Sequence, residues 1–190
     1  MEMKKMKVYN VTIQGTTPLL MNRPSQLDIA DKSKDVKRET KTPEEQAEGR
    51  LYKDSEEKIY IPATWFRGCL IEAGKQKKMG GKGSSKATYS KAVGSCASIE
   101  PFEIVLKNKW KIFSILAVNP TTHGRNMLYR PQFDKWEVDL QVEFDEEQIE
   151  PSVMKELFDI AGKRVGVGDW RPAKKGMFGK FQVTSWKESK

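Results

Sequence analysis

Apolar and polar residues alternate in several short segments of the chain, which is the pattern of strands that bury one face. The clearest case runs from Trp136 to Phe144, where every second residue is apolar. Another begins at Lys7 and ends at Gly15. The alternation predicts strands at residues 7–14, 58–61, 99–106, 111–118, 136–144 and 178–186.

Three other segments carry helix signals. Thr42-Pro43-Glu44-Glu45 combines a capping hydroxyl, a proline at the first helical position and acids near the positive end of the helix dipole. Helices are predicted at residues 42–52, from residue 62 onward and at 151–161. With the strands they give the order βαββαβ, so we predict an α+β fold with a modified ferredoxin-like or RRM-like sheet, helices on one face and long inserted loops.

We expect one domain over residues 1–190, interrupted by three excursions. A charged passage at 22–42 predicts a mobile arm, and a turn-rich segment predicts a hairpin tip at 119–130. A basic loop is predicted at 75–91, where six lysines and no acid occur. This loop is either a flexible surface connection or a phosphate-attracting segment, and its candidate contacts are Lys75, Lys77, Lys78 and Lys82.

Composition narrows the classes of partner. Lysine and arginine give a formal net charge of +8 and a pI of about 9.3, which favours a polyanion over a neutral partner. No stretch has the apolar length of a membrane span, and no signal peptide is recognisable, so we expect a cytoplasmic protein without a membrane partner. Cys69 and Cys96 lack the spacing of a metal site, so we expect no metal and no cofactor.

A glycine-rich passage near the end of the chain is the strongest candidate for binding. Residues 166–183 contain four glycines, four cations and three aromatics. Glycine lets a backbone approach a ligand closely, cations attract phosphate, and aromatic faces stack on bases. The candidate residues are Gly166, Gly168, Gly176, Gly179, Trp170, Arg171, Lys174, Lys175 and Lys180. Trp170 could equally stack on a base or pack against its own loop.

Three passages together resemble the RAMP superfamily of CRISPR-associated proteins, in particular the backbone subunits, the seventh Cas family, that coat guide RNA. The first is Gly15-Thr-Thr-Pro18-Leu19, which is similar to a "G-x-x-x-PL" motif after the opening strand. The second is the strand-to-helix junction Ile59-Tyr-Ile-Pro-Ala-Thr-Trp-Phe-Arg67-Gly68, and the third is the loop from Gly166 to Gly179. A compact phage-borne or plasmid-borne relative would fit this short chain equally well.

The resemblance implies a non-catalytic subunit that holds single-stranded RNA along a basic groove and stacks with copies of itself or with other subunits of an effector complex. It also implies that Arg67 binds phosphate at a helix N-terminus. The hairpin tip with Arg125 would correspond to the family's protruding thumb. From composition alone, single-stranded DNA remains an alternative to RNA.

Two rival functions stay open. Some relatives cleave RNA, and here the acids Asp28, Asp31 and Asp35 or the lone His123 would be the catalytic candidates. The same acids alternate with lysines, however, which is the pattern of a solvated segment. The second rival is a phage inhibitor or decoy that docks on a CRISPR effector complex.

Overall fold

The computed structural model describes residues 6–24, 42–80, 87–118 and 123–189. In chain order the strands are β1 (Lys7–Gly15), β2 (Leu19–Leu20), β3 (Tyr60–Pro62), β4 (Ala97–Glu100), β5 (Glu103–Val105), β6 (Lys111–Val118), β7 (Arg125–Phe133), β8 (Glu137–Phe144) and β9 (Phe181–Glu188). The helices are α1 (Pro43–Glu48), α2 (Ala63–Gln76), α3 (Ser90–Cys96) and α4 (Pro151–Ile160). A π-helical turn at Ala161–Val165 extends α4, and a 3-10 turn covers Pro172–Lys174.

Four strands form the central antiparallel sheet in the order β4-β8-β1-β9. Strand β1 lies inside it, paired with β8 from Lys7 opposite Phe144 and with the closing strand β9. Two helices, α2 and α4, connect strands that are not neighbours, so the core follows the predicted βαββαβ path. The predicted α+β fold class is therefore confirmed.

The alternation along the strands decides which face of the sheet is buried. On β8 the side chains of Val138, Leu140, Val142 and Phe144 are buried, whereas those between them point outward. The buried face packs on α2 and α4, through residues such as Phe66, Leu70, Leu157 and Phe158. The helices thus cover one face, as predicted, and the other face is open.

Strands β6 and β7 form a long hairpin, and β2 adds a short third strand at its base. We call this hairpin the arm; it is a different segment from the mobile arm predicted at residues 22–42. Near its tip the arm exposes Leu116, Val118 and Met127, whereas Phe133 at its base is buried. The predicted hairpin tip overlaps the end of this arm, although residues 119–122 lie outside the described part of the chain.

One helix of the structure was not predicted from the sequence. Helix α3 stands at Ser90–Cys96, at the end of the segment predicted as a basic loop. Only Val93 in this short helix is buried, so it carries almost no apolar periodicity that a sequence could reveal. Residues 25–41 of the predicted arm at 22–42 and residues 81–86 of the basic loop lie outside the described residues, as do 1–5 and 190.

Candidate nucleic-acid interface

The turn after β1 is bonded directly to the glycine loop, by which we mean residues 166–180. The backbone N–H of Gly179 donates to the carbonyl oxygen of Pro18 at 2.8 Å. The backbone N–H of Lys180 donates to the hydroxyl of Thr17 at 2.9 Å. These bonds join the opening turn to the C-terminal end of the loop.

The same loop also rests on the first turns of α2. A Cβ added to Gly168 would lie 3.4 Å from the ring of Trp65, and the thiol of Cys69 donates to the carbonyl oxygen of Gly166 at 3.3 Å. The three passages that carry the family resemblance are far apart in sequence. In the fold they meet at one place.

Glycine is required in this loop for two separate reasons. At Gly179 the backbone φ of +70° is one that L side chains rarely adopt, and a Cβ there would lie 1.8 Å from the carbonyl oxygen of Val167. At Gly168, with φ of +79°, a Cβ would lie 2.5 Å from the carbonyl oxygen of Leu20. The loop can therefore press against β2 and α2 only because side chains are missing at these positions.

A cavity of about 310 Å³ opens between α2 and the glycine loop. The helix contributes Thr64, Trp65 and Glu72 to its wall, and the loop contributes Arg171 and Lys174. Two cations thus face one carboxylate, and Glu72 is itself paired with Lys75 at 2.6 Å. The cavity is suited to an anion flanked by a flat group that can lie near an indole ring.

Arg171 is held in place from inside the loop. Its guanidinium donates to the carbonyl oxygen of Gly168 at 3.1 Å with one of its five N–H groups. Burial raises the pKa of the neighbouring Cys69 thiol to about 12, against the opposing effect of the Arg171 charge. Cys69 is therefore a neutral part of the core and not a nucleophile.

Trp170 packs on its own loop and on the arm. Its ring lies 6.5 Å from that of Phe178 and 6.1 Å, edge to face, from that of Phe113 on β6. About a third of its surface, 36%, is still exposed. Beside it, Arg130 on β7 pairs with Asp169 at 3.4 Å. The loop is thus attached to the arm as well as to α2.

The open face of the central sheet has a different chemistry. Its outward residues on β8 include the carboxylates of Glu137, Asp139 and Glu143. Amide side chains join neighbouring strands, as between Gln141 and Asn10 at 3.0 Å. Among the described residues of this face there is no outward aromatic ring, so it lacks the base-stacking surface of an RRM.

The structure brings together only some of the predicted cations. Arg67 points to the other flank of α2, where it donates to the carbonyl oxygen of Gly94, and it does not line the cavity. Lys77 forms an ion pair with Glu156 on α4. Lys78 is exposed, and its backbone forms an isolated antiparallel β-bridge with Thr88. Their roles as phosphate contacts remain predictions.

The remaining candidates lie elsewhere or outside the described residues. Arg125 is exposed at the start of β7, and His123 is exposed just before it, with φ of +55°. Both are on the arm, away from the cavity lining. The acids Asp28, Asp31 and Asp35, and also Lys82, fall outside the described part of the chain.

Sequence reasoning missed the contribution of the arm. Phe113 and Arg130 take part in the glycine loop's packing, and their only sequence signal was their place in alternating strands.

Across residues 6–24, 42–80, 87–118 and 123–189, no three or more His, Cys, Asp or Glu side chains cluster as metal ligands would. No helix in these ranges is long and apolar enough to cross a bilayer.

No protein-family model matches the chain, and no curated protein matches it in sequence. Among solved structures, it resembles a chain in the cryo-EM structure of the Type III-B Cmr-beta bound to cognate target RNA. The TM-score is 0.58 at 12% identity, and the match covers 98% of this chain and 61% of that one. The chain therefore spans about three fifths of that neighbour's length. At this identity the likeness concerns the fold alone, which in this chain is an α+β fold with an antiparallel four-stranded sheet.

Proposed function

We propose that the chain binds single-stranded RNA, without cleaving it, as a subunit of a CRISPR-type complex. The observation that carries the proposal is a cavity between the start of α2 and the glycine loop that is lined by Arg171 and Lys174, with the opening turn bonded to the end of the same loop. Phosphate would lie against these cations, and bases would lie toward Trp65 and the exposed edge of Trp170. The fold neighbour, a chain from a structure that contains target RNA, supports RNA over DNA.

The charge distribution supports the same orientation. A polyanion would be repelled by the carboxylates of the open sheet face and attracted to the loop side of the molecule. Contacts of this kind go to the backbone and to ring faces, so binding would depend weakly on sequence. Self-association along the strand, or docking beside other effector subunits, completes the proposal.

The test compares two double variants with the same net charge. Lys174→Ala with Lys175→Asn removes two cations of the glycine loop, and asparagine suits the left-handed φ of +62° at residue 175. Lys155→Ala with Lys187→Ala removes two exposed cations elsewhere, on α4 and β9. Binding of a fluorescent single-stranded RNA is measured by anisotropy between about 50 and 200 mM salt.

We expect the loop variant to lower the slope of log affinity against log salt by about 1.4, since each phosphate contact in a single strand contributes about 0.7. The control variant should keep the wild-type slope. Equal slopes for the two variants would place the binding surface elsewhere. Absence of RNA binding by the wild type, together with tight binding to an effector complex, would favour an inhibitor. Magnesium-dependent shortening of the RNA would favour a nuclease.

Self-association has its own readout. The protein is purified without nuclease treatment, its mass is measured by light scattering, and any bound nucleic acid is sequenced. We expect RNA on an assembly heavier than one chain. A monomer that stays monomeric when saturated with long RNA would contradict the repeated-subunit part of the proposal, while leaving RNA binding intact.

A further inference from the structure

Three aromatic side chains continue from the wall of the cavity onto the neighbouring surface. Trp65, which lines the cavity, meets the ring of Tyr52 edge to face at 5.4 Å. Tyr52 in turn meets the ring of Tyr60 at 5.8 Å. All three residues are half-buried, and Tyr52 and Trp65 pack against the core from its outer side. We call Tyr52, Tyr60 and Trp65 the aromatic platform.

The backbone fixes the platform firmly. The N–H of Tyr60 donates to the carbonyl oxygen of Tyr52 at 3.0 Å, and Asp54 closes the turn between them by accepting from the N–H of Lys58 at 2.9 Å. A rigid support of this kind lowers the conformational entropy that the protein loses when a ligand binds.

Strand alternation shows which way Tyr60 points. Its neighbour Ile61 is fully buried, and so is Ile104 on the paired strand β5. Tyr60 stands opposite Val105, whose side chain is 42% exposed, so this pair forms the outer side of the short β3–β5 ribbon. Val105 thus extends the platform with an apolar side chain that is not part of the buried core.

A cation lies beside the platform. Burial raises the pKa of the Tyr52 hydroxyl, with a further contribution from Tyr60, whereas the charge of Arg23 acts in the opposite direction. Arg23 is exposed and follows β2, and its backbone N–H donates at 3.0 Å to the carbonyl oxygen of Arg50, two residues before Tyr52. A guanidinium next to aromatic rings is the usual composition of a subsite for single-stranded nucleic acid.

We propose that the aromatic platform is a second subsite, on which a nucleobase of the bound strand stacks while Arg23 contacts its phosphate. The inference rests on the proposed function, because the strand reaches the platform from the cavity, across Trp65. It gives the bound strand a path across the protein, from the glycine loop past the N-terminal end of α2 to the β3–β5 ribbon. Tyr60 is the outermost ring and the principal stacking contact.

The experiment measures binding of the full chain to single-stranded oligouridylates of increasing length. In the wild type, affinity should rise by a step once the oligomer reaches from the cavity to the platform. Tyr60→Ala should remove this step, a loss of about 5- to 100-fold for long oligomers, and leave short ones unchanged. Tyr60→Phe keeps the ring and should keep the step. Thermal unfolding of each variant is recorded alongside.

Photocrosslinking gives a second readout that does not depend on the variants folding. Oligomers containing 5-bromouridine are irradiated with the wild-type protein, and the crosslinked peptide is identified by mass spectrometry. We expect a crosslink within the peptide that contains Tyr52 and Tyr60. Crosslinks confined to the glycine loop, with no length step in the wild type, would overturn the platform and leave the proposed function standing.

Two further outcomes separate the two proposals. If the wild type binds no oligomer of any length, the proposed function itself fails, and the platform fails with it. If long oligomers bind and Tyr60→Ala has the same affinity as Tyr60→Phe at every length, only the platform is overturned.

Discussion

The glycine-loop side and the open sheet face of this molecule are built on the same four strands but differ in chemistry. On the loop side, Arg171 and Lys174 line a cavity beside Trp65. On the open face, carboxylates such as Glu137 and Asp139 stand between amide side chains. A nucleic acid would thus meet attraction on one side and repulsion on the other.

From this difference we expect that a shared sheet topology does not determine where a ligand binds. An RRM stacks bases on the open face of its sheet, using aromatic residues of the central strands. Here the aromatic side chains of the central strands, such as Tyr9 and Phe144, point inward and stack on each other at 5.3 Å. The binding function is expected in the loops that cross the edge of the sheet.

The largest effect should come from filling the space that the loop glycines leave empty. Gly179→Ala puts a Cβ 1.8 Å from a carbonyl oxygen at a φ of +70°, so we expect a loss of about 3 kcal/mol or more of unfolding free energy. RNA affinity should fall with it. Urea denaturation measures the first effect and anisotropy the second.

Gly94→Ala is the matched control, because Gly94 lies in helix α3 with its nearest neighbour, on Ile71, 3.9 Å from an added Cβ. Alanine favours the helix there and should stabilise it by up to about 1 kcal/mol. If the two variants unfold at the same urea concentration, the loop is not constrained as described.

Reversing one charge on each face tests the comparison directly. Lys174→Glu should weaken binding of single-stranded RNA by about tenfold at low salt, since it replaces a phosphate contact with a repulsion. Glu137→Lys on the open face should change the affinity by less than about twofold. A larger gain from Glu137→Lys than the loss from Lys174→Glu would show that RNA follows the open face instead.

Raising the pH should lower the folding stability through the glycine loop and through the central sheet in different pH ranges. The Cys69 thiol beneath the loop has its pKa raised from 9.0 to about 12, mainly by burial, and the Tyr9 hydroxyl beneath the sheet has its pKa raised from 10.0 to about 12. In each case the unfolded chain loses its proton first, so folding stability is complete below the unfolded pKa and falls as pH rises toward the folded value.

Between about pH 9 and 10 the decrease is due to Cys69 rather than Tyr9, and it amounts to about 1.4 kcal/mol per pH unit at most. Cys69→Ala should flatten the stability curve in this window, because it removes the thiol that titrates there. Denaturant unfolding at a series of pH values measures the slope for the wild type and for the variant. Parallel curves for the wild type and Cys69→Ala would contradict the assignment.

The smallest effect concerns the ion pair between the loop and the arm. Asp169→Asn weakens its contact with Arg130, where both side chains are largely buried, and should lower the melting temperature by an amount equivalent to about 1 kcal/mol. Asp134→Asn breaks the exposed pair with Lys111 on the same arm and should have less effect. The reverse ranking would mean that the loop does not depend on the arm.

Several elements of the fold could be predicted from the sequence because their signals are local. The alternation at Trp136–Phe144 places every second side chain on the buried face, and the structure has β8 at Glu137–Phe144 with that face inward. Thr42 accepts from the N–H of Glu45 at 3.2 Å, as its capping sequence predicts. Helix α3 was not predictable in this way, because it buries a single apolar side chain.

The candidate site was predictable in its parts but not in its assembly. Local sequence identified the glycines and cations of residues 166–180, since glycine spacing and charge are visible along the chain. It gave no means of telling that Arg67 would turn toward Gly94 while Arg171 lines the cavity. Side-chain direction on α2 depends on which flank meets α3, and that follows from packing between elements.

The sequence by itself determined the composition of this protein's surfaces and the order of its strands and helices, because periodicity, capping and turn chemistry act over a few residues. Only the tertiary structure decided that Pro18 contacts Gly179, that Trp65 lies beside Gly168, and that Arg171 and Lys174 line one cavity. The physical reason is that long-range strand pairing sets the register of β1 between β8 and β9, and this register determines which loops become neighbours.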